Sequence, residues 1–219
     1  ERGPKRGAVG VPRRIVTGGV ARQGVRIAVR GETSHVGPTP MMLRRNALVG
    51  ASYVAVAIDD IGWRYAPADG KTSVARLDLR PNLPGILFDE ADLWIDFRHP
   101  RKERLPDMVA EVEAAVVESA RRSRTNIEIA ERWGFGGLSF DPGLIGLIRE
   151  TAQRLGVPSM DIETQAGHDA YNMTRVCPTA MIFTPCKGGI SHNEAEDIDF
   201  AATVPGVNVL LHAVIARAS

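Results

Sequence analysis

The sequence predicts an α/β chain in which a ferredoxin-like βαββαβ sandwich is inserted into part of a second α/β domain. Two observations predict it. Between Ala21 and Arg132 the apolar residues follow strand, helix, strand, strand, helix and strand periods in turn, the split order of a four-stranded antiparallel sheet carrying two helices on one face. From Gly134 onward helix and strand patterns alternate, which is the α/β pattern. The expected boundaries are residues 21–132 for the sandwich, and residues 1–20 with 133–219 for the other domain.

Residues 1–12 are rich in Gly and Pro and show no cap, methionine or leading strand, so we expect a chain cut within a longer one. Residues 14–17 read as a short strand ending at Gly18 and Gly19. Val25, Ile27 and Val29 alternate with Arg26, Ala28 and Arg30, the period-two pattern of a half-buried strand. Over residues 43–61, Leu43, Ala47, Ala51, Val54, Ile58 and Ile61 recur at helical spacing. Strands follow at residues 73–79, with Leu77 and Leu79 on one face, and 91–97, with Leu93, Ile95 and Phe97 on one face and Trp94 and Asp96 on the other. Pro106 opens a second helix striped by Met108, Val112, Val116 and Ser119, and residues 126–131 form a strand that turns Ile127 and Ile129 inward.

In the remaining part, Asp141-Pro142 starts a helix that Gly156 stops. Residues 157–162 form a strand, and a short helix ends near Arg175. The run Ala180, Met181, Ile182 and Phe183 within residues 179–184 is continuously apolar, which predicts a central strand buried on both faces. A final helix carries Val204, Val207, Leu210, Leu211, Val214 and Ile215, and Pro205 is expected to delay its start. About three strands and three helices are too few for a complete α/β domain. The strand at residues 179–184 is therefore expected to lack cover on one face.

At 219 residues with 44% hydrophobic content the chain can fill a core, and 27 basic against 26 acidic residues leave a net charge of +1. That balance provides no field to attract nucleic acid. No run approaches the roughly 20 apolar residues of a membrane span, and no charged-then-apolar leader opens the chain, so a cytoplasmic protein without membrane or nucleic-acid partners is expected. Cys177 and Cys186 flank the predicted strand at residues 179–184. At about 3.3 Å per residue they lie well beyond the roughly 7 Å reach of a disulfide, and they are expected as free thiols.

Three of the five histidines stand in Gly- or Pro-rich loops. His192 lies in GGISHNEAED, His168 in Gly167-His168-Asp169-Ala170, and His35 in the loop over residues 31–40. The His168 and His192 loops bracket the strand at residues 179–184. Imidazole is the commonest metal ligand and proton carrier near neutral pH, which makes His192 the first candidate for a metal ligand. The alternative is a solvated histidine beside acidic residues that favour a helix start.

These motifs carry a resemblance. Ala166-Gly167-His168-Asp169-Ala170-Tyr171-Asn172-Met173, then Pro178 to Phe183, then Gly189-Ile190-Ser191-His192-Asn193 resemble the C-terminal signature of the amidase/hydantoinase/carbamoylase group of M20-type metal-dependent hydrolases. That group includes N-carbamoyl-L-amino acid hydrolases, β-ureidopropionases and allantoate amidohydrolases. GETSHVGPTPMMLRRNAL (residues 31–48) resembles its lid loop and helix, and Asp96-Phe97-Arg98-His99-Pro100 its Asp-Leu-Arg strand end.

The resemblance implies a catalytic α/β domain holding two metal ions, zinc or manganese, and an inserted ferredoxin-like lid that also forms a homodimer. It implies hydrolysis of a carbamoyl or linear amide C–N bond in N-carbamoyl amino acids or related ureido acids. His192 is implied as a metal ligand, His35 as a catalytic residue near the oxyanion, and Arg98, His168, Gly167 and Asn82 as substrate contacts. The group's other ligands and its general base precede the turn that residues 1–4 match, so the chain is expected to be inactive alone. Arg2 replaces a glutamine of that turn, and Gly85 stands near an expected asparagine, a place Asn82 is assigned to fill. Each residue has a plainer reading: Arg98 in a salt bridge to Asp96 or Asp78, His35 exposed in its loop, and His168 buried and paired with Asp169. His99 and His212 are assigned to structure. Other readings are a non-catalytic ferredoxin-like dimerisation or small-ligand-binding module, and an M20-type aminoacylase or dipeptidase.

Overall fold

A computed structural model describes residues 13–218. The expectations for residues 1–12, including the cut N-terminus and Arg2, lie outside the described residues. In chain order the elements are β1 (Arg13–Gly19), β2 (Arg22–Arg30), α1 (Ala47–Tyr65), β3 (Lys71–Arg80), β4 (Glu90–Arg98), α2 (Leu105–Ser123), β5 (Asn126–Phe135), β6 (Leu138–Ser139), α3 (Pro142–Arg154), β7 (Ser159–Thr164), α4 (Ala170–Met173), β8 (Met181–Phe183) and α5 (Phe200–Ala218). They divide into two compact units, one spanning Val20–Gly137 and the other joining the stretches on either side of it. The mixed α/β class matches the expectation.

In the unit Val20–Gly137 the sheet runs β3-β4-β2-β5, every pair antiparallel. Alternation sends Val25, Ile27 and Val29 of β2 and Leu93, Ile95 and Phe97 of β4 into one core with Ala51, Val54 and Ile58 of α1 and Met108 and Val112 of α2. Helix α1 starts four residues later than Leu43. Asn46 in extended conformation accepts the Leu48 N–H at 3.0 Å and caps it, leaving Leu43 exposed in a 3-10 turn at Met41–Leu43. Arg124, in the left-handed region at φ 57°, ends α2, and its guanidinium donates to the carbonyls of Met41 and Met42.

The opposite face of this sheet is polar. Arg26 reaches Asp92 at 2.7 Å and Glu131 at 2.8 Å, and Arg30 reaches Asp92 at 3.4 Å. Strand β5 continues past residue 131 to Phe135 because a bulge opposite Arg26 and Ile27 keeps it in register with β2. There Trp133 lies directly over Gly24, where an added Cβ would stand 2.2 Å from the indole.

In the other unit β1 is the inner strand, parallel to β7 on one side and antiparallel to β8 and β6 on the other. Ile15 and Val16 pack with Phe140, Ile145, Ile148, Met181, Val209 and Ala213. Asp141 caps α3 by accepting the Leu144 N–H at 2.8 Å, and Gly156, at φ 63°, follows its end.

Three expectations are corrected here. The apolar run at residues 179–184 is not a central strand: only Met181–Phe183 pairs, at the sheet's edge, and Ile182 and Phe183 stay half-exposed. Pro178 and Pro185 bound it and remove the donors a longer ladder would need. Pro205 does not delay the last helix. Asp199 accepts the Ala202 N–H at 3.2 Å and starts α5 at Phe200, so Pro205 falls inside it. As a result α5 is 19 residues long and, by length and composition alone, apolar enough to cross a membrane, contrary to the sequence expectation. Its Gly206, Val209 and Ala213 are buried. Cys177 and Cys186 are free thiols.

Candidate functional site

In the unit Val20–Gly137, Gly31 brings the His35 loop against the start of α1. An added Cβ would meet the Arg45 carbonyl oxygen at 2.1 Å and the Ala47 nitrogen at 2.9 Å. Beyond it the loop pairs with the β3–β4 connection: Leu87 N–H donates to the Ser34 carbonyl at 2.8 Å, Val36 N–H to the Gly85 carbonyl at 3.1 Å, and His35 bridges to Ile86. The His35 ring is exposed, and its Nδ1 accepts the Gly37 N–H at 3.0 Å. In the neutral ring the proton then sits on Nε2, leaving a hydrogen-bond donor. Asn82 stands exposed and left-handed (φ 51°) in the connection that pairs with the His35 loop.

Arg98 ends β4 on the polar face, its Nε 2.5 Å from Asp96 Oδ1. Asp78, the other candidate partner, instead pairs with Arg76, whose hydrogen bond holds its carboxyl below the usual range. Across the sheet Arg98 is in register with Arg22 on β2 and Lys71 on β3. Three cations therefore share one rung, with Asp96 also 4.0 Å from Arg22. Reading the sequence missed Arg22 and Lys71, because nothing local to Arg98 announces its cross-strand partners.

His99, next in sequence, points the other way and is 1% exposed. Its Nδ1 accepts the Arg101 N–H at 2.9 Å and its ring meets Tyr65 edge-on at 6.0 Å. Burial, then the charge of Arg101, pushes its pKa down. The structural assignment of His99 holds. His212 is exposed on α5.

In the other unit, His168 and Asp169 are both exposed, and His168 Nδ1 accepts the Ala170 N–H at 3.1 Å at the start of α4. This overturns the reading of a buried histidine paired with Asp169. The preceding Gly167 is exposed. Tyr171 anchors the loop by donating its hydroxyl to the Ala166 carbonyl at 2.7 Å, over the space that Gly19 leaves open. The His192 loop is clasped at its base, where Lys187 N–H donates to the Asp197 carbonyl at 2.7 Å and Lys187 Nζ lies 3.2 Å from Asp197 Oδ2. His192 itself is exposed and left-handed (φ 54°). Glu196 accepts the backbone N–H of His192 at 2.9 Å, so its carboxylate braces the loop's main chain.

Among the described residues no group of three or more His, Cys, Asp or Glu is placed to hold a metal ion. A catalytic zinc site takes about three protein ligands and an open position. The described residues do not meet that requirement by themselves.

The profile of peptidase family M20/M25/M40 matches residues 8–216. The chain belongs to that family. This M20 chain is 34% identical over 188 residues to an N-carbamoyl-L-amino-acid amidohydrolase of Rhizobium meliloti, covering 86% of this chain and 45% of the relative. It is 27% identical over 188 residues to the allantoate amidohydrolase of Bacillus subtilis, covering 83% and 44%. A crystal structure of a hydantoinase/carbamoylase family amidase from Burkholderia vietnamiensis superposes with a TM-score of 0.84 at 37% identity, over 92% of this chain and 49% of that one. The M20 chain thus spans about half the length of these relatives.

Proposed function

We propose that this M20 chain forms part of a metal-dependent amidohydrolase that cleaves the carbamoyl or linear amide C–N bond of N-carbamoyl amino acids or related ureido acids. The observation that carries the reading is the 34% identity to the Rhizobium N-carbamoyl-L-amino-acid amidohydrolase along 86% of the chain. The polar groups suit such a substrate. Arg98, on a rung with Arg22 and Lys71, binds its carboxylate. His35, with its proton on Nε2, donates to the oxygen that gains charge when the carbonyl is attacked. Asn82, Gly167 and His168 line the substrate, and His192 is the ligand this chain contributes to a zinc or manganese centre. The unit Val20–Gly137 acts as the lid and pairs with its twin in a homodimer.

The nucleophilic water and its base require groups beyond these, so the chain alone is expected to take up no stoichiometric zinc or manganese and to turn over no substrate. The test is metal analysis and a ureido-substrate assay on the chain alone and on the chain supplied with the part of the Rhizobium relative that it does not match. Metal uptake and hydrolysis appearing together in the mixture, and both lost in His192→Ala, support the reading. Tight metal binding or turnover by the chain alone, or a His192→Ala mixture that keeps both, overturns it.

A further inference from the structure

The polar face of the sheet in the unit Val20–Gly137 has an aromatic flank. Arg98 of β4 is in register with Arg22 of β2, and Arg22 with Phe135 of β5. Two residues along, Asp96 is in register with Gly24, and Gly24 with Trp133. Side chains two apart on a strand share a face, so Trp133 and Phe135 stand on β5 beside the cations.

Trp133 does not stay over its own strand. A Cβ added at Gly24 would lie 2.2 Å from its Cε2 and 2.3 Å from its Nε1, so the indole lies across β2. Adjacent strands are about 4.8 Å apart, which leaves the ring about one strand spacing from Asp96 on β4. Arg98 reaches the same rung from the far side. Its Nε is 2.5 Å from Asp96 Oδ1, so the guanidinium is folded back from its own rung toward that of Gly24. A cationic fork and an aromatic ring therefore converge on a glycine, which puts no side chain between them. Trp133 is 41% exposed, so its ring is open to a ligand. Trp94, two residues further along β4, is no equivalent, because the Arg76 guanidinium covers its ring at 4.5 Å.

We propose that Trp133 is a specificity-determining residue, its indole packing the side chain of an amino-acid substrate whose carboxylate Arg98 holds. The face then selects carboxylates with an aromatic or large apolar substituent on the α-carbon. The inference rests on the amidohydrolase reading for the carboxylate on Arg98, and it deepens that reading by naming the substrate class, N-carbamoyl derivatives of apolar amino acids. In such a molecule only the α- and β-carbons separate carboxylate from ring, which suits a fork and an indole about one strand spacing apart. An apolar side chain on the indole leaves water and gains a ring contact. A polar one loses its water to a surface that returns no hydrogen bond.

The test titrates the 15N-labelled chain with N-carbamoyl-L-phenylalanine, N-carbamoylglycine and 3-phenylpropionate, followed through the indole N–H signals of its three tryptophans. Trp63→Phe and Trp94→Phe identify the Trp133 signal by elimination, so the native titration stands even where Trp133→Leu fails to fold. Trp63, 73% exposed on α1, also serves as the control position. Far-UV circular dichroism and a thermal melt check that each variant folds.

The expected result is a shift of the Trp133 signal with the phenylalanine derivative, and a Kd about tenfold below that of the glycine derivative. Trp133→Leu removes that preference and leaves the glycine derivative's Kd unchanged, whereas Trp63→Phe keeps the preference. A Trp133 signal that does not move, equal affinity for the two derivatives, or a preference that survives Trp133→Leu overturns the proposal. So does a Trp133→Leu chain that folds and binds both derivatives equally worse than native, the mark of a residue that only aligns β5 with β2. Hydrolysis assays on the chain supplied with the unmatched part of the Rhizobium relative separate the two readings. Aromatic preference shared by 3-phenylpropionate, without hydrolysis, upholds the role of Trp133 and removes the amidohydrolase reading. Hydrolysis with equal KM for the phenylalanine and glycine derivatives upholds that reading and overturns the role of Trp133.

Discussion

Arg98 Nε and Asp96 Oδ1 stand 2.5 Å apart at the end of β4, two residues on one strand whose side chains share the polar face of the sheet. Both side chains are only about a quarter exposed, at 24% and 23%. The pair orients the guanidinium fork before any ligand arrives. If Arg98 binds the carboxylate of the proposed N-carbamoyl substrate, Arg98→Lys in the completed protein keeps the charge and loses the fork, so KM is expected to rise about ten- to a hundredfold, the size of a lost charge-assisted hydrogen bond. Asp96→Asn should raise KM less, by loosening the fork. Saturation curves identical to the native enzyme would leave Arg98 with its salt bridge and no substrate role.

His99 is expected to make the unit Val20–Gly137 sensitive to acid. Burial lowers its folded pKa below the unfolded value of about 6.5, so in mildly acidic solution the unfolded chain binds the proton that the folded chain refuses. The stability this residue contributes is present above the unfolded pKa and is lost as pH falls through that value toward the folded one. Urea midpoints measured between pH 8 and pH 5 should fall with acidity, and the fall should be shallower in His99→Asn. Equal slopes in the two proteins would mean that other groups set the dependence.

Gly31 is where the His35 loop and the start of α1 come within backbone contact. Gly31→Ala forces a Cβ against the Arg45 carbonyl, a main-chain atom that cannot swing aside, and should destabilise the chain by about 1–3 kcal/mol. A melting temperature within a degree of native would show that the loop relaxes freely.

Asp141 caps α3 with a single 2.8 Å bond to Leu144 N–H. Asp141→Ala should cost about 1 kcal/mol and Asp141→Asn much less, since the amide oxygen still accepts. Chemical denaturation of the three proteins measures the ranking, and an Asn variant as weak as Ala would point away from the cap.

The elements that the sequence revealed are those whose pattern has one physical meaning. Val25, Ile27 and Val29 alternate because one face of β2 is core and the other carries Arg26 and Arg30, and the same alternation exposes β4. The run at Met181 was ambiguous, since a fully buried strand and a short edge strand beneath a helix have the same composition. Pro178 and Pro185 were the signal that distinguished them. Strand β6, two residues long, is too short to carry a pattern. In the candidate site, the loop histidines stood out by their Gly and Pro neighbours. Their hydrogen bonds did not, because each depends on a local turn: His35 with Gly37, His168 with Ala170, and the main chain of His192 with Glu196. The rung formed by Arg22, Arg98 and Lys71 exists only once the strands are aligned.

The seat of Trp133 over Gly24 acts as a key to the pairing of β5 with β2. Sliding β5 along β2 by two residues would keep the apolar side chains facing the helices, so the hydrophobic core by itself tolerates the error. It would also set the indole against Arg22 or Arg26, whose side chains occupy the room that glycine leaves empty. One missing methyl group thus tells the correct pairing of β5 with β2 from its nearest plausible mistake.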